Sequence, residues 1–184
     1  MIGLLKLNDF AEAHLLCQKR DIETKGKQYL INNLLKKEVE ISYDINGKPY
    51  LSDDLRHISI THSHDKIAII INDDEETGID IELIRDKVLK IKHKFLSENE
   101  LLNAENDPEK LLIYWGAKES LYKIYGLKEV DFIKNLYIEP FIKNNSGTIV
   151  GNIKMPNFNK SFELTYFKIE EYMLVYALKE IKAC

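Results

Sequence analysis

Apolar and polar positions recur along the chain with two different periods. Residues 22–37 repeat leucine and isoleucine at helical spacing, which predicts an amphipathic helix. β-Branched residues dominate HISIT at 57–61 and KIAIII at 66–71, so these segments are predicted as strands joined by a polar loop at 62–65. The N-terminal part of the chain therefore combines a helix with at least two strands.

A hairpin is predicted within ISYDINGKPYL, residues 41–51. Asn46 and Gly47 tolerate the positive φ angles of a tight turn. Pro49 favours an edge strand, because proline cannot donate to a sheet ladder.

Helical signals return after a predicted strand at 78–83. Lysines and apolar residues fall on opposite sides of residues 87–95. Helix boundaries are marked by a capping box at Ser97 with Glu100, by Asp107 before Pro108, and by a stop at Gly126. From residue 135 onward the pattern predicts strands with turns at 144–147 and 155–157.

Helices and strands occur in comparable amounts, and the C-terminal strands follow one another through short turns. This pattern favours an α+β fold with antiparallel sheets over a doubly wound parallel sheet. The acidic run NDDEET at 72–77 is the predicted boundary between an N-terminal subdomain, 1–76, and a C-terminal subdomain, 77–184.

Composition restricts the function classes. A chain of 184 residues with 45% hydrophobic residues can bury a core without disulfides, and the net charge of −4 gives no general attraction to nucleic acid or to an anionic membrane. Cys17 and Cys184 lie far apart and outside any metal-binding pattern, so two reduced thiols are expected. Asp9 and Glu12 interrupt the N-terminal apolar residues, and a cytoplasmic protein is expected.

Two carboxylates interrupt the apolar strand TGIDIELIRD. Side chains two apart on a strand share a face, so Asp80 and Glu82 are predicted to point to one place while the isoleucines point to the core. Paired carboxylates repel unless a cation neutralises them, and oxygen ligands suit Mg²⁺. The alternative is a half-exposed strand whose outer face happens to be acidic.

The helix containing YWGAKESLYKIYG offers a third carboxylate. Trp115, Glu119 and Lys123 lie four residues apart on one face. Glu119 could join Asp80 and Glu82 as a metal ligand while a lysine, Lys118 or Lys123, neutralises phosphate oxygens. The alternative is a surface pair between Glu119 and Lys123.

A third group of polar side chains lies in ITHSHDK. Thr61, His62 and Ser63 place two hydroxyls around an imidazole, with Lys48 in the preceding hairpin. These donors could hold a phosphate monoester, although a histidine in a loop is more often an ordinary surface residue.

Taken in order, these segments resemble the 4'-phosphopantetheinyl transferase superfamily. The resemblance lies in GKP at 47–49, THS at 61–63, GIDIE at 78–82, FLSENE at 95–100 and WGAKESLYKIYG at 115–126. The order is similar to that of the single-chain surfactin-synthetase type. The resemblance implies two similar α+β halves related by a pseudo-twofold, with the cofactor cleft between them, and a monomer.

The resemblance also implies roles for individual residues. Asp80, Glu82 and Glu119 would bind Mg²⁺, or Mn²⁺ in its place, and the catalytic residues would be Glu119, Lys118 and Lys123. Glu119 or a metal-ordered water would be the base. Coenzyme A would be held by Gly47, Lys48, Pro49, Thr61, His62 and Lys27.

The implied reaction is transfer of 4'-phosphopantetheine from coenzyme A to a serine of an apo acyl or peptidyl carrier protein, with release of 3',5'-ADP. Two alternatives stay open: a non-catalytic homologue that binds coenzyme A or a carrier protein, and a different Mg²⁺-dependent phosphotransferase or diphosphate hydrolase. The basic stretch KVLKIKHK at 87–94 is either a solvated face or a docking stripe for acidic carrier proteins.

Overall fold

The computed structural model describes residues 1–182 and has antiparallel sheets packed with helices. The first part of the chain contains β1 (Ile2–Lys6), α1 (Leu7–Ala13), α2 (Lys19–Leu35), β2 (Ile41–Tyr43), β3 (Pro49–Leu51), β4 (His57–Ser63) and β5 (Lys66–Asn72). The second part contains β6 (Gly78–Leu83), α3 (Lys87–Ile91), a 3-10 turn (Lys92–Lys94), α4 (Glu98–Ala104), α5 (Pro108–Tyr125), β7 (Leu136–Ile138), β8 (Ser146–Met155), β9 (Phe158–Ile169) and β10 (Tyr172–Ile181). The predicted α+β class is confirmed.

Two sheets stack between two helices. One sheet has the order β1-β5-β4 and the other has the order β6-β10-β9-β8-β7, while β2 and β3 form a separate hairpin. Ile67 and Ile69 of β5 pack with α2, whereas Ala68 and Ile70 pack with Ile79 and other residues of the larger sheet. The large sheet packs its other face against α5. The alternation of side chains along β5 therefore joins the two sheets.

The C-terminal helix signals are confirmed. Ser97 and Glu100 form the capping box of α4, and the Asp107 side chain accepts from the first amides of α5. Helix α5 ends at Gly126.

The predicted turn at 155–157 is found at 156–157, whereas residues 139–145 connect β7 to β8 and the predicted turn at 144–147 overlaps the start of β8. A turn at 170–171 joins β9 to β10.

Two N-terminal predictions need correction, and β1 and α1 were not predicted from the sequence. The turn between β4 and β5 contains residues 64–65 alone. His62 and Ser63, which the prediction placed in a polar loop at 62–65, belong to strand β4. In the hairpin loop, Gly47 alone has a positive φ of 88°, and the Asp44 carboxylate accepts from the amides of Asn46 and Lys48.

The strands of the three-stranded sheet precede the loop at 73–77, and those of the five-stranded sheet follow it. The subdomain boundary at 76/77 stays a prediction. The pseudo-twofold also stays a prediction, and the two sheets differ in strand number. Cys17 is exposed and free, and Cys184 lies outside the described residues. Within residues 1–182, no helix combines the length and apolar character needed to cross a membrane.

Candidate functional site

Strand β6 and helix α5 lie in direct contact and bring the acidic residues together. A Cβ added to Gly78 would lie 2.0 Å from the Ser120 carbonyl oxygen, so glycine permits the backbones to approach this closely. The side chain of Asp80, which is 5% exposed, faces the helix, and Ile79 and Ile81 face the core between the sheets. The predicted alternation along the strand is confirmed, but the acidic face is largely buried, not solvated.

Asp80 is held by one oxygen only. Its Oδ1 accepts from the Thr61 hydroxyl at 3.0 Å and from the Lys123 ammonium at 2.9 Å. Its Oδ2 is the one buried side-chain polar atom of residues 1–182 that has no hydrogen-bond partner. A buried carboxylate oxygen without a partner is costly, so this atom is suited to a ligand that brings positive charge.

Glu82 is held by both oxygens. Trp115 donates its indole N–H to Oε1 at 3.1 Å, and Ser63 donates its hydroxyl to Oε2 at 3.1 Å. Burial raises the pKa of the Glu82 carboxyl, and the nearby Asp80 charge raises it further. The strand pair therefore accumulates negative charge where little water is available to stabilise it.

Glu119 lies on the face of α5 that the four-residue spacing predicted. Burial raises the pKa of its carboxyl to about 7, and the charges of Asp80 and Glu82 add to the effect, while Lys123 opposes it. The three carboxylates are thus close enough to influence one another. Lys123 is the cation among them, and its ammonium also donates to the Ile79 carbonyl at 2.7 Å.

The donor set fits a hard divalent cation in chemistry. Mg²⁺ or Mn²⁺ prefers oxygen ligands such as these three carboxylates. The ion would give the unpartnered Asp80 oxygen a partner and would offset the repulsion between the carboxylates. Among residues 1–182, however, no three His, Cys, Asp or Glu side chains are already arranged as a metal-ligand set. Because both oxygens of Glu82 already accept hydrogen bonds, rotation of the Glu119 side chain would be needed to direct three oxygens to one point.

A cavity of about 250 Å³ opens beside the carboxylates, between the two parts of the chain. Lys27, Gly47, Lys48, Pro49 and His62 line it from the first part. Tyr122, Lys123 and Gly126 line it from α5 and its end. The structure therefore brings five of the six predicted cofactor-binding residues and the predicted catalytic Lys123 to one cavity.

Thr61 is the predicted cofactor-binding residue that the cavity lacks. Its side chain is 6% exposed and its hydroxyl lies on Asp80. Because adjacent side chains of a strand point to opposite faces, the Thr61 and Ser63 hydroxyls point away from His62. The predicted cluster of three consecutive phosphate donors is therefore wrong in geometry.

Basic side chains reach the cavity from helix α2, from the β2–β3 hairpin and from β4. His62 has a side chain that is 59% exposed, and Lys27 donates to the Tyr43 hydroxyl at 3.3 Å. Lys48 donates to Glu76 at 2.6 Å and to the Ile124 carbonyl at 3.1 Å. Lys48 thereby ties the hairpin to the C-terminal end of α5.

Lys118 has a different position from the one predicted. Its ammonium is 0% exposed and donates, each at 2.8 Å, to Glu100 and to the carbonyls of Phe95 and Phe132. Burial lowers the pKa of Lys118 and the Glu100 charge opposes that change. A lysine saturated by three oxygens in the core cannot also reach a phosphate in the cavity, so the structure gives Lys118 a structural role.

A second, open groove is lined in part by Glu119. It has a volume of about 1020 Å³ and is lined by Lys87, Lys94, Trp115, Glu119 and Phe132, among others. Tyr122 lines both the groove and the 250 Å³ cavity. Glu119 therefore lines the groove, and Lys123, one helical turn further along α5, lines the cavity.

Several site residues were not assigned from sequence. Tyr43 and Tyr122 line the cavity, and the Trp115 indole orients Glu82. Tyrosines are frequent in this chain, so none stood out by composition. Hydroxyl residues occur at every second position of β4, at Ser59, Thr61 and Ser63. This alternation in the sequence could have indicated the polar face that β4 directs at β6.

Comparisons with known proteins point to one family. A family model described as 4'-phosphopantetheinyl transferase superfamily matches residues 76–177, more than half of the chain. The chain is also similar to 4'-phosphopantetheinyl transferase gsp of Aneurinibacillus migulanus, with 28% identity over 131 residues that cover 67% of this chain and 53% of the relative. The chain spans about half the length of this relative.

The buried ion pair gives a first prediction. Lys118→Met leaves the Glu100 carboxylate buried and unpaired, so the free energy of unfolding should fall by about 3 to 5 kcal/mol in urea titrations. Lys110→Met is the matched control, because Lys110 is also buried on α5 but lies over the Phe141 ring at 5.4 Å. Adding Glu100→Gln to Lys118→Met should recover part of the loss. A loss below about 1 kcal/mol for Lys118→Met would contradict the structural role.

The Glu119 carboxyl gives a second prediction, for protein kept metal-free with a chelator. Its pKa rises from 4.5 to about 7 on folding, so the folded state holds the proton more tightly than the unfolded state. The stability that this provides is complete below pH 4.5 and is lost as the pH rises to about 7. Glu119→Gln cannot lose that proton, so wild type should lose stability relative to Glu119→Gln across this window. Parallel stability curves for the two proteins would contradict the assignment.

Proposed function

The chain belongs to the 4'-phosphopantetheinyl transferase superfamily, and from this premise we propose that it transfers 4'-phosphopantetheine from coenzyme A to a serine of an apo carrier protein. The observation that carries the proposal is the group of carboxylates Asp80, Glu82 and Glu119 on β6 and α5. Lys123, which donates to Asp80, lines a cationic cavity, and Glu119 lines an open groove. A phosphoryl donor and a protein acceptor could meet there.

Coenzyme A would occupy the 250 Å³ cavity with its nucleotide end. Gly47, Lys48 and Pro49 would contact the adenine side, and His62 with Lys27 would hold the 3'-phosphate. Lys123 would interact with the pyrophosphate, since its ammonium lies between the cavity and Asp80. Short-range cations suit this role in a chain whose net charge is negative.

Mg²⁺, or Mn²⁺ in its place, would be held by Asp80, Glu82 and Glu119. Bound there, the ion would neutralise charge that develops on the pyrophosphate oxygens. The protein side chains contribute the orientation of these carboxylates and a second positive charge at Lys123. Trp115 and Ser63 fix Glu82 from two sides, so its direction does not depend on the ligand.

The acceptor hydroxyl would enter from the groove. Glu119, directly or through a water molecule, removes the proton of the carrier-protein serine. The serine oxygen then attacks the β-phosphorus of coenzyme A, the bond from that phosphorus to the bridging oxygen breaks, and 3',5'-ADP leaves. No enzyme nucleophile takes part in this displacement.

The groove also offers a surface for the carrier protein. Lys87, Lys90 and Lys94 are exposed, whereas Val88 and Phe95 are buried, as the sequence pattern predicted. Lys87 and Lys94 line the groove itself. A carrier protein that is acidic around its serine would be attracted to this side of Glu119.

Monomeric function in the cytoplasm remains part of the proposal.

A non-catalytic homologue is the second candidate function. The observation that favours it is that, among residues 1–182, no metal-ligand set is already arranged. Binding of coenzyme A without any transfer would support that candidate.

Transfer itself is tested by mass spectrometry of a panel of apo carrier proteins incubated with the chain, coenzyme A and Mg²⁺. A carrier should gain the mass of phosphopantetheine, and Glu119→Gln should reduce the rate by at least about a hundredfold, because base and metal ligand are lost together. Glu98→Gln, on the exposed first turn of α4, is the control and should keep the wild-type rate. Unchanged transfer by Glu119→Gln would remove the assigned role.

The nucleotide pose is tested by comparing coenzyme A with 3'-dephospho-coenzyme A in calorimetric titrations. A charge-assisted contact to the 3'-phosphate is worth about 1.5 to 3 kcal/mol, so wild type should prefer coenzyme A by about tenfold or more. His62→Ala should reduce this preference to a few-fold, whereas the exposed His14→Ala should retain it. An equal preference in His62→Ala and wild type would show that the phosphate lies elsewhere.

A further inference from the structure

Strands β4 and β6 are joined by side-chain hydroxyls in place of a backbone ladder. β6 is the edge of the large sheet, and its outward amides at Ile79, Ile81 and Leu83 donate to hydroxyl oxygens of β4. The acceptors, in the same order, are Ser59 at 3.2 Å, Thr61 at 3.4 Å and Ser63 at 3.3 Å. The constant offset between the partners means that the two strands run in the same direction.

Two of these three hydroxyls have a second partner. Thr61 donates to Asp80 Oδ1 at 3.0 Å, and Ser63 donates to Glu82 Oε2 at 3.1 Å. A hydroxyl has a single hydrogen, and its oxygen already accepts from an amide, so that hydrogen is left for the carboxylate. Each hydroxyl thus connects a fixed backbone amide to a carboxylate of the same strand.

This arrangement limits the freedom of the carboxylates. With Oδ1 of Asp80 held by Thr61 and Lys123, the direction of the unpartnered Oδ2 is fixed as well. Glu82 is held in the same way by Ser63 and Trp115. Groups that orient ligating carboxylates contribute to metal affinity without touching the metal.

We infer that Thr61 and Ser63 are positioning residues that hold Asp80 and Glu82 in the direction needed for a divalent cation. The inference rests on the proposed function, because it assigns the carboxylates to a metal. It replaces the predicted role of Thr61 in coenzyme A binding by a role toward Asp80.

Ser59 provides the internal comparison. It accepts from the Ile79 amide as Thr61 and Ser63 accept from theirs, and none of the described hydrogen bonds joins it to a carboxylate. Removing the Ser59 hydroxyl therefore measures the effect of losing one contact between β4 and a β6 amide. Removing the Thr61 hydroxyl measures the effect of losing such a contact together with the hydrogen bond that orients Asp80.

The experiment is a titration of the full chain with Mn²⁺ alone, in which electron paramagnetic resonance measures the free ion. No coenzyme A or carrier protein is present, so the readout does not depend on turnover. Thr61→Val should weaken Mn²⁺ binding by about tenfold or more, and Ser63→Ala should weaken it in the same direction. Thr61→Ser, which keeps the hydroxyl, and Ser59→Ala should stay within about twofold of wild type.

Thermal unfolding of each variant separates orientation from folding. Thr61→Val and Ser59→Ala lose equivalent amide contacts, so their folded fractions should be similar at the titration temperature. The inference would be overturned if Thr61→Val bound Mn²⁺ with wild-type affinity, or if Ser59→Ala lost as much Mn²⁺ affinity as Thr61→Val. It would also be overturned if the wild-type chain showed no saturable Mn²⁺ binding. Wild-type transfer to a carrier protein, measured separately, shows whether the proposed function fails with it.

Discussion

Repulsion between three carboxylates in a partly dehydrated cleft is the constraint on which the site depends. The charges of Asp80, Glu82 and Glu119 act on one another where burial disfavours negative charge, and Lys123 opposes only part of this effect. The protein retains this arrangement although it raises the pKa of Glu119 and leaves Asp80 Oδ2 without a partner. A cation that enters the cleft would remove the repulsion, and the phosphates of a nucleotide would bring their own negative charge to that cation.

The rest of the fold supplies rigid supports for this cluster. The hydroxyls of β4 connect the smaller sheet to β6, the edge strand of the large sheet. Lys48 connects the hairpin to the end of α5, and the buried pair of Lys118 with Glu100 connects α5 to α4 and to the backbone at Phe132. The cavity and the carboxylates therefore belong to one packed unit, because the elements that line the cavity are also those that hold the acidic residues.

Local patterns predicted much of the fold and of the site. The alternation around Asp80, the helix caps at Ser97 and Asp107, and the four-residue spacing of Glu119 and Lys123 each follow from the geometry of a single element. Contacts between distant elements were less accessible. The sequence places Lys118 beside Glu119, but its burial against Glu100 depends on how α4 packs on α5. Similarly, THS looks like a row of phosphate donors until the strand directs Thr61 and Ser63 to β6.

The most direct measurement of the central claim is anomalous diffraction from crystals of the chain soaked with Mn²⁺ and coenzyme A. The account predicts one strong Mn²⁺ peak at about 2.0 to 2.3 Å from oxygens of Asp80, Glu82 and Glu119, with pyrophosphate oxygens on its open side. A peak elsewhere, or coenzyme A bound in the cavity with no metal on Asp80, would contradict it.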